Sequence, residues 1–202
     1  EITNAAQREQ AMVQFARRGA TVIVAIGFTQ ASAVEKVAKE YPDLKFAIID
    51  MVVDQPNVKS VVFTEDQGSY LAGVMAGMAS KSGVVGFIGG MDIPLIRRFG
   101  CGYAQGVKAV KADATVILNM TGTDGSAWNN PVKGAEIAKS QMAQKADVIY
   151  AAAGGTGVGV LQAAADGGIL SIGVDSNQNY LHPGQVLTSM VKRVDNAVYE
   201  AF

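Results

Sequence analysis

The chain has 202 residues, 49% apolar and only 17% charged, with 23 glycines, a make-up that suits a packed α/β protein with many tight turns and excludes a disordered polymer. A net charge of −1 with no run of basic residues leaves out the electrostatic footprint of a nucleic-acid binder. The longest apolar runs, 21–28 and 83–90, fall far short of the roughly 20 residues that a membrane-spanning helix needs.

Residues 1–18 read as an amphipathic helix with Ala5, Met12, Val13, Phe15 and Ala16 toward a core, and no signal peptide is visible ahead of it. A rhythm then sets in. Short Val/Ile-rich runs at 21–27, 45–50, 58–63, 83–89, 115–120, 148–152, 169–174 and 186–190 predict strands. Most are apolar at consecutive positions, as strands covered on both faces must be, which points to parallel sheets. Helical periodicity fills 30–41, 67–80, 96–111, 131–144, 157–166 and 192–202. Ser32 with Glu35 forms a capping-box pattern, Tyr41-Pro42-Asp43 stops a helix, and Pro131 suits a first helical turn. Strand and helix alternating with right-handed crossovers predict an α/β fold of doubly wound parallel layers.

One segment breaks the rhythm. Run 58–63 follows Asp50 after a short turn with no helix, too soon for a crossover of a dozen residues, so it is expected to be a connector and not a parallel neighbour. Run 186–190 is the natural strand for the return. These connectors divide the chain into a partial N-terminal lobe, 1–64 plus 189–202, and a nearly complete C-terminal lobe, 65–188, with four parallel strands.

Ligands of open parallel sheets lie outside the carboxyl ends of the strands. The residues there are Gly27-Phe28-Thr29, Asp50, Gly90-Met91-Asp92, Thr121-Gly122, Gly154-Gly155-Thr156-Gly157 and Asp175-Ser176-Asn177. No glycine cluster has the spacing of a dinucleotide or phosphate loop. His182 is the only histidine and has no paired nucleophile, while Cys101, the only cysteine, reads as a small buried helix residue. No catalytic residue, metal site or cofactor is therefore expected. Asp50 and Asp175 each end an apolar run, where a carboxylate either accepts two protons from a polar ligand, at about 1.5–3 kcal/mol per bond, or caps the next turn. Trp128, the single tryptophan, sits in a polar loop where its ring either stacks on a base or sugar or packs on the nearby helix, and Phe28 has the same pair of readings. Lys192-Arg193 and Arg97-Arg98 either reach a ligand or lie on solvated helix faces.

Several blocks in fixed order resemble the basic-membrane-protein family of ABC-transporter substrate-binding lipoproteins, whose members bind purine nucleosides. They are 46–50 with Val53-Asp54, 68–73, 86–94, 152–157 and Gly173-Val174-Asp175-Ser176. The resemblance implies a two-lobed, type I periplasmic-binding-protein-like fold closing on a nucleoside. It places Asp50 toward the base, Trp128 on the purine, Asp175 on the ribose hydroxyls, Gly154 and Gly155 against the ligand, and Lys192 toward the sugar. It further implies an ABC permease as membrane partner and a site outside the bacterial cytoplasmic membrane, in the periplasm or on the membrane's outer face behind a lipid anchor. The family's opening strand and closing elements are expected beyond Glu1 and Phe202, so both ends read as truncated. The same fold could also serve as a ligand-sensing regulatory domain, or as a small enzyme acting on a nucleoside or sugar, for which the nucleophile is missing.

Overall fold

The computed structural model describes residues 5–202. The chain forms two compact units, one made by the segment up to Phe63 together with Arg193–Phe202, the other by Thr64–Lys192. The smaller unit contains α1 (Ala5–Arg17), β1 (Val22–Ile26), α2 (Ala31–Glu40), β2 (Lys45–Ile49), β3 (Val58–Val61) and, from the end of the chain, α7 (Val194–Tyr199). The larger contains α3 (Glu65–Ala79), β4 (Val84–Met91), α4 (Pro94–Val110), β5 (Thr115–Gly122), α5 (Pro131–Ala143), β6 (Val148–Ala152), α6 (Thr156–Asp166), β7 (Leu170–Asp175) and β8 (Val186–Val191). The part of the first predicted helix at 1–4 lies outside the described residues.

The smaller unit is built on a parallel sheet of order β1-β2-β3. Phe46 to Ile49 are buried at four consecutive positions because β2 is central and covered on both faces. Met12, Ile23, Val34, Val37, Phe46 and Ile48 form its core. Phe15, expected inward, is 55% exposed: Met12 takes the buried position on α1. Ser32 does not cap α2, since a 3-10 turn over Phe28–Gln30 carries the chain into the helix at Ala31, before Ser32 is reached. Tyr41 does end that helix, as its pattern predicts.

The run at 58–63, expected not to be a parallel neighbour, contains a paired strand, and it ends at the unit boundary after Phe63. Residues of β3 lie parallel to β2 from Phe46↔Val58 to Ile49↔Val61. An extended loop substitutes for the crossover helix. Residues 50–57 can span about 26 Å at roughly 3.3 Å per residue, more than the ~17 Å length of a five-residue strand. The loop is pinned to the unit's interior by buried Val53 and by Asn57, whose amide nitrogen lies 2.9–3.1 Å from the carbonyls of Ala38, Tyr41 and Leu44. Ser60 Oγ adds a bond from the Val53 amide at 3.0 Å. Backbone that would otherwise be stranded in a helix-free return is thereby satisfied.

The larger unit has five parallel strands in the order β5-β4-β6-β7-β8, one more than expected, because β8 continues the sheet beside β7 instead of leaving it. The boundary accordingly falls after Lys192 and not before residue 189. Both faces are covered. Phe87, Phe99, Tyr103, Tyr150 and Ile172 fill one side, and Ile88, Ala138, Ile149 and Val160 the other. The Phe87, Tyr103 and Tyr150 rings lie with centroids 5.4–6.2 Å apart in tilted and edge-on contacts, each worth about 0.5–1.5 kcal/mol beyond buried area. Cys101 corrects the sequence expectation: it is exposed, because Ile96, Phe99, Tyr103 and Val107 take the inward stripe of α4. Pro131 occupies the first turn of α5, capped by Asn130, whose side chain accepts the Lys133 amide proton at 3.0 Å.

Candidate ligand site

In the larger unit the sheet order brings the carboxyl ends of β5, β4 and β6 side by side, and the loop after β5 folds across them. That loop is a 3-10 turn, Gly125–Trp128, whose entry is capped by Asp124: its carboxylate accepts the Ser126 amide proton at 2.8 Å. Hydrogen bonds from Ser126 hold the Asp124 carboxyl below its usual range. At the turn's end two threonine hydroxyls converge on the Ala127 carbonyl, Thr121 at 2.8 Å and Thr156 at 2.7 Å. Thr156 also accepts the Asn130 amide proton at 2.7 Å, and Thr121 lies 3.1 Å from the Gly90 carbonyl. Both threonines are buried.

Trp128 is thereby held half-buried against the aromatic core. Its ring lies so close to Gly90 that a methyl group there would enter the indole, and its carbonyl is 3.2 Å from where a Cβ would stand at Gly154 or Gly155. Gly154 has φ 56°, a left-handed turn that favours glycine. The two glycines after β6 thus form the floor on which the Trp128 loop rests.

Asp175 and Lys192 lie at the adjoining ends of β7 and β8, where the Lys192 amide donates to the Asp175 carbonyl at 2.8 Å. Asp175 is exposed and has φ 66°. Lys192 turns inward: its Nζ sits 3.4 Å from Glu65 Oε1 and 5.6 Å from the centroid of Phe99. Glu65 begins α3, where a carboxylate is favoured by the helix dipole, and it also accepts from Arg98 Nε at 3.1 Å. Tyr150 shares a 3.3 Å hydroxyl contact with Ser69. Burial, opposed by that contact and reinforced by the charges of Asp175 and Glu65, pushes the Tyr150 phenol well above its usual range, so it stays neutral.

In the smaller unit the Gly27 amide donates to the Ile49 carbonyl at 3.1 Å, which places Phe28 and Asp50 after neighbouring strand ends. Phe28 opens the 3-10 turn and is half-buried. Asp50 is half-buried with φ 71°, and its amide donates to Val61 at 2.9 Å. The sequence candidates therefore assemble as three groups: Trp128 with Gly154 and Gly155, Asp175 with Lys192, and Phe28 with Asp50.

Of the other candidate cations, Arg97 pairs with Asp92 at 2.7 Å and Arg193 with Asp195 at 2.9 Å, both on the surface. Glu65 and Phe99 escape the sequence reading, whereas Thr121 and Thr156 stand among its strand-end residues without a role of their own. The threonines carry a faint signal, each standing at or just after a strand end, whereas the burial of Glu65 has none. A groove of about 550 Å³ between α3 and α4, lined by Tyr70, Leu71, Arg98 and Gln105 among others, contains Arg98 but no other of the candidate ligand residues. Among the described residues no group of three or more His, Cys, Asp or Glu could hold a metal ion, and no helix is long and apolar enough to cross a membrane.

Doubly wound parallel sheets presenting polar strand ends define a type I periplasmic-binding-protein fold. Its match to an ABC-transporter solute-binding protein from Aeropyrum pernix K1 has a TM-score of 0.89 at 31% identity, covering 98% of this chain and 58% of that one. A transcriptional activator of the comK gene from Bacillus halodurans matches with a TM-score of 0.84 at 25% identity, covering 98% and 68%. The model of the Bmp family, ABC transporter substrate-binding protein PnrA-like, matches residues 1–202, and the chain belongs to that family. The nucleoside-binding protein BmpA of Lactococcus lactis is 36% identical over 201 residues, 90% of this chain and 56% of BmpA. The chain spans about half the length of the curated relatives it matches.

Proposed function

We propose that the chain is part of the extracytoplasmic substrate-binding component of an ABC importer and that it captures a purine nucleoside without chemical change. Support for the ligand comes chiefly from the 36% identity to a nucleoside-binding relative. Trp128 would stack on the purine, a contact worth roughly 1–3 kcal/mol. Asp175, exposed at a strand end, would accept hydrogen bonds from two ribose hydroxyls, with Gly154 and Gly155 against the ligand and Lys192 toward the sugar. Phe28 and Asp50 of the smaller unit would meet the base. The permease is the membrane partner, and the working location is the periplasm or the outer face of the cytoplasmic membrane, behind a lipid anchor on the parent protein.

Mass spectrometry of small molecules released on denaturing the purified protein, with thermal shifts by guanosine, adenosine and inosine, tests the reading. A released purine nucleoside and a raised Tm are expected. Failure of all three nucleosides to move Tm overturns it. The likeness to a transcriptional activator supports a second reading, a sensing domain of the same fold. A DNA-binding segment encoded in the same gene would favour that alternative.

A further inference from the structure

The outer face of α3 has charged residues only at its two ends. Asp66 stands exposed in the first turn and Lys81 exposed just past the last, and residues 67–80 between them are all uncharged. At helical period Gln67, Tyr70, Leu71, Val74, Met75 and Met78 share one stripe. Leu71 is 65% and Met78 74% exposed, with Tyr70 and Met75 at 39% each. The other sides of the helix are already used: Ser69, Ala72 and Ala76 are buried, and Gly73 and Gly77 let the α4 backbone approach closely. A helix that faces only water carries charged residues along its outer side, so a continuous apolar stripe there marks a contact surface.

We propose that this stripe is the interface of a homodimer, in which α3 packs antiparallel on α3 of a second copy about a two-fold axis near Val74. The occupant follows from the way the face complements itself. Antiparallel alignment about Val74 sets Asp66 opposite Lys81, Tyr70 opposite Met78 and Leu71 opposite Met75. Both ends thereby gain opposite charges, while the apolar residues meet one another. The groove between α3 and α4 beside Tyr70 and Leu71 is a seat for Met78 of the second copy, whose unbranched side chain adapts to such a hollow. An anionic membrane would call for basic residues at both ends of the stripe, whereas Asp66 marks one of them. One pair of helices is at the small end of stable interfaces, so association is micromolar or weaker. The inference is independent of the nucleoside reading.

Sedimentation equilibrium of the full chain across and above the micromolar range tests it. The mass should rise with concentration from that of one chain to that of two. Leu71→Lys and Met78→Lys, both at exposed positions outside the core, should each weaken association by about tenfold or more. The charge pairing is read separately. Asp66→Lys and Lys81→Asp should each weaken association by about threefold to tenfold, and the double exchange should restore it, a rescue that simple loss of helix stability would not produce. Should Leu71→Lys fail to fold in a thermal melt, Met78→Lys decides. A chain that stays single at the top of the range overturns the proposal, as do lysine variants that associate like wild type. Association that the double exchange fails to recover overturns the antiparallel pairing. A single chain that instead floats with phosphatidylglycerol vesicles overturns the dimer in favour of a membrane contact.

Discussion

Asp50 and Asp175 share a backbone conformation that L-residues rarely adopt, φ 71° and 66°, each at the point where a parallel strand of its own unit hands over to a turn. Lys145, just beyond α5, is the third such non-glycine among the described residues. The left-handed region costs an ordinary L-residue about 1–2 kcal/mol, and Asp and Asn tolerate it better than most. Aspartate is therefore suited to both the backbone and the proposed ligand contact, and a substitution can separate the two.

Asp175→Asn keeps a residue that accepts the same φ and should remove most of the guanosine-induced rise in Tm, with a smaller loss of apo Tm than Asp175→Ala. Asp175→Ala should lower the apo Tm as well, by the roughly 2–4 °C that about 1 kcal/mol represents in a protein of this size. Thermal scans with and without guanosine measure both. Asparagine that keeps the full ligand shift would remove the carboxylate from the site.

The single tryptophan makes the site its own reporter. Guanosine stacking on Trp128 should quench its emission in proportion to occupancy, giving a binding curve that matches calorimetry. Gly90→Ala forces a methyl group into the space of the indole, so the ring must shift. We expect a loss of about 1–3 kcal/mol in stability and a weakened quench. A Gly90→Ala protein with wild-type emission and affinity would show that this seat does not govern the ring.

Much of this architecture was readable because burial on both faces writes itself as consecutive apolar residues: Phe46 to Ile49 and Val148 to Ala152 are continuously buried, and both runs are strands. The pairing of β3 was not readable. The rule that a parallel return needs a helix misses a loop anchored by Asn57, whose three carbonyl partners are distant in sequence. Strand-end position likewise marked Asp50, Asp175 and Gly154, yet the pinning of Trp128 depends on Thr121 and Thr156, residues that only the order β5-β4-β6 brings to one carbonyl. The inward turns of Glu65 and Lys192 were hidden for the same reason. A charge at a helix start reads as solvated unless the packing around it is known.

Asp147 links the two ends of the larger sheet's opening turns and should make stability depend on pH. Its carboxylate accepts from Ser80 Oγ at 2.6 Å and from the Lys81 and Ser82 amides at 2.7 Å each. Partial burial disfavours the charge, but the combined bonds from Ser80, Ser82 and Lys81 outweigh it and hold the carboxyl below its usual range. A depressed folded pKa contributes stability that is complete above the unfolded value near 3.9 and is lost as pH falls through the folded value. Asp147→Asn should therefore destabilise the fold at pH 7, by less than a buried carboxylate would because solvent screens this partly exposed one, with the gap to wild type closing below about pH 4. Urea melts across pH 3–7 measure it, and a gap that is constant with pH would assign the loss to shape instead of charge.

Thr156 offers the sharpest separation of support from contact. It is fully buried, donates to the Ala127 carbonyl at 2.7 Å and accepts from the Asn130 amide at the same distance, so it ties both sides of the Trp128 loop to the start of α6. Thr156→Val keeps the shape and removes both bonds, leaving the Asn130 amide without its acceptor. That should cost about 1–3 kcal/mol, several degrees in Tm, whereas Thr156→Ser retains the hydroxyl and most of the stability. If the loop positions the indole for a base, guanosine affinity should fall in Thr156→Val by about tenfold and remain near wild type in Thr156→Ser. Fluorescence titration of the two variants at a temperature well below both melting points decides the matter. Equal affinities would mean that Trp128 keeps its place without the Thr156 bonds.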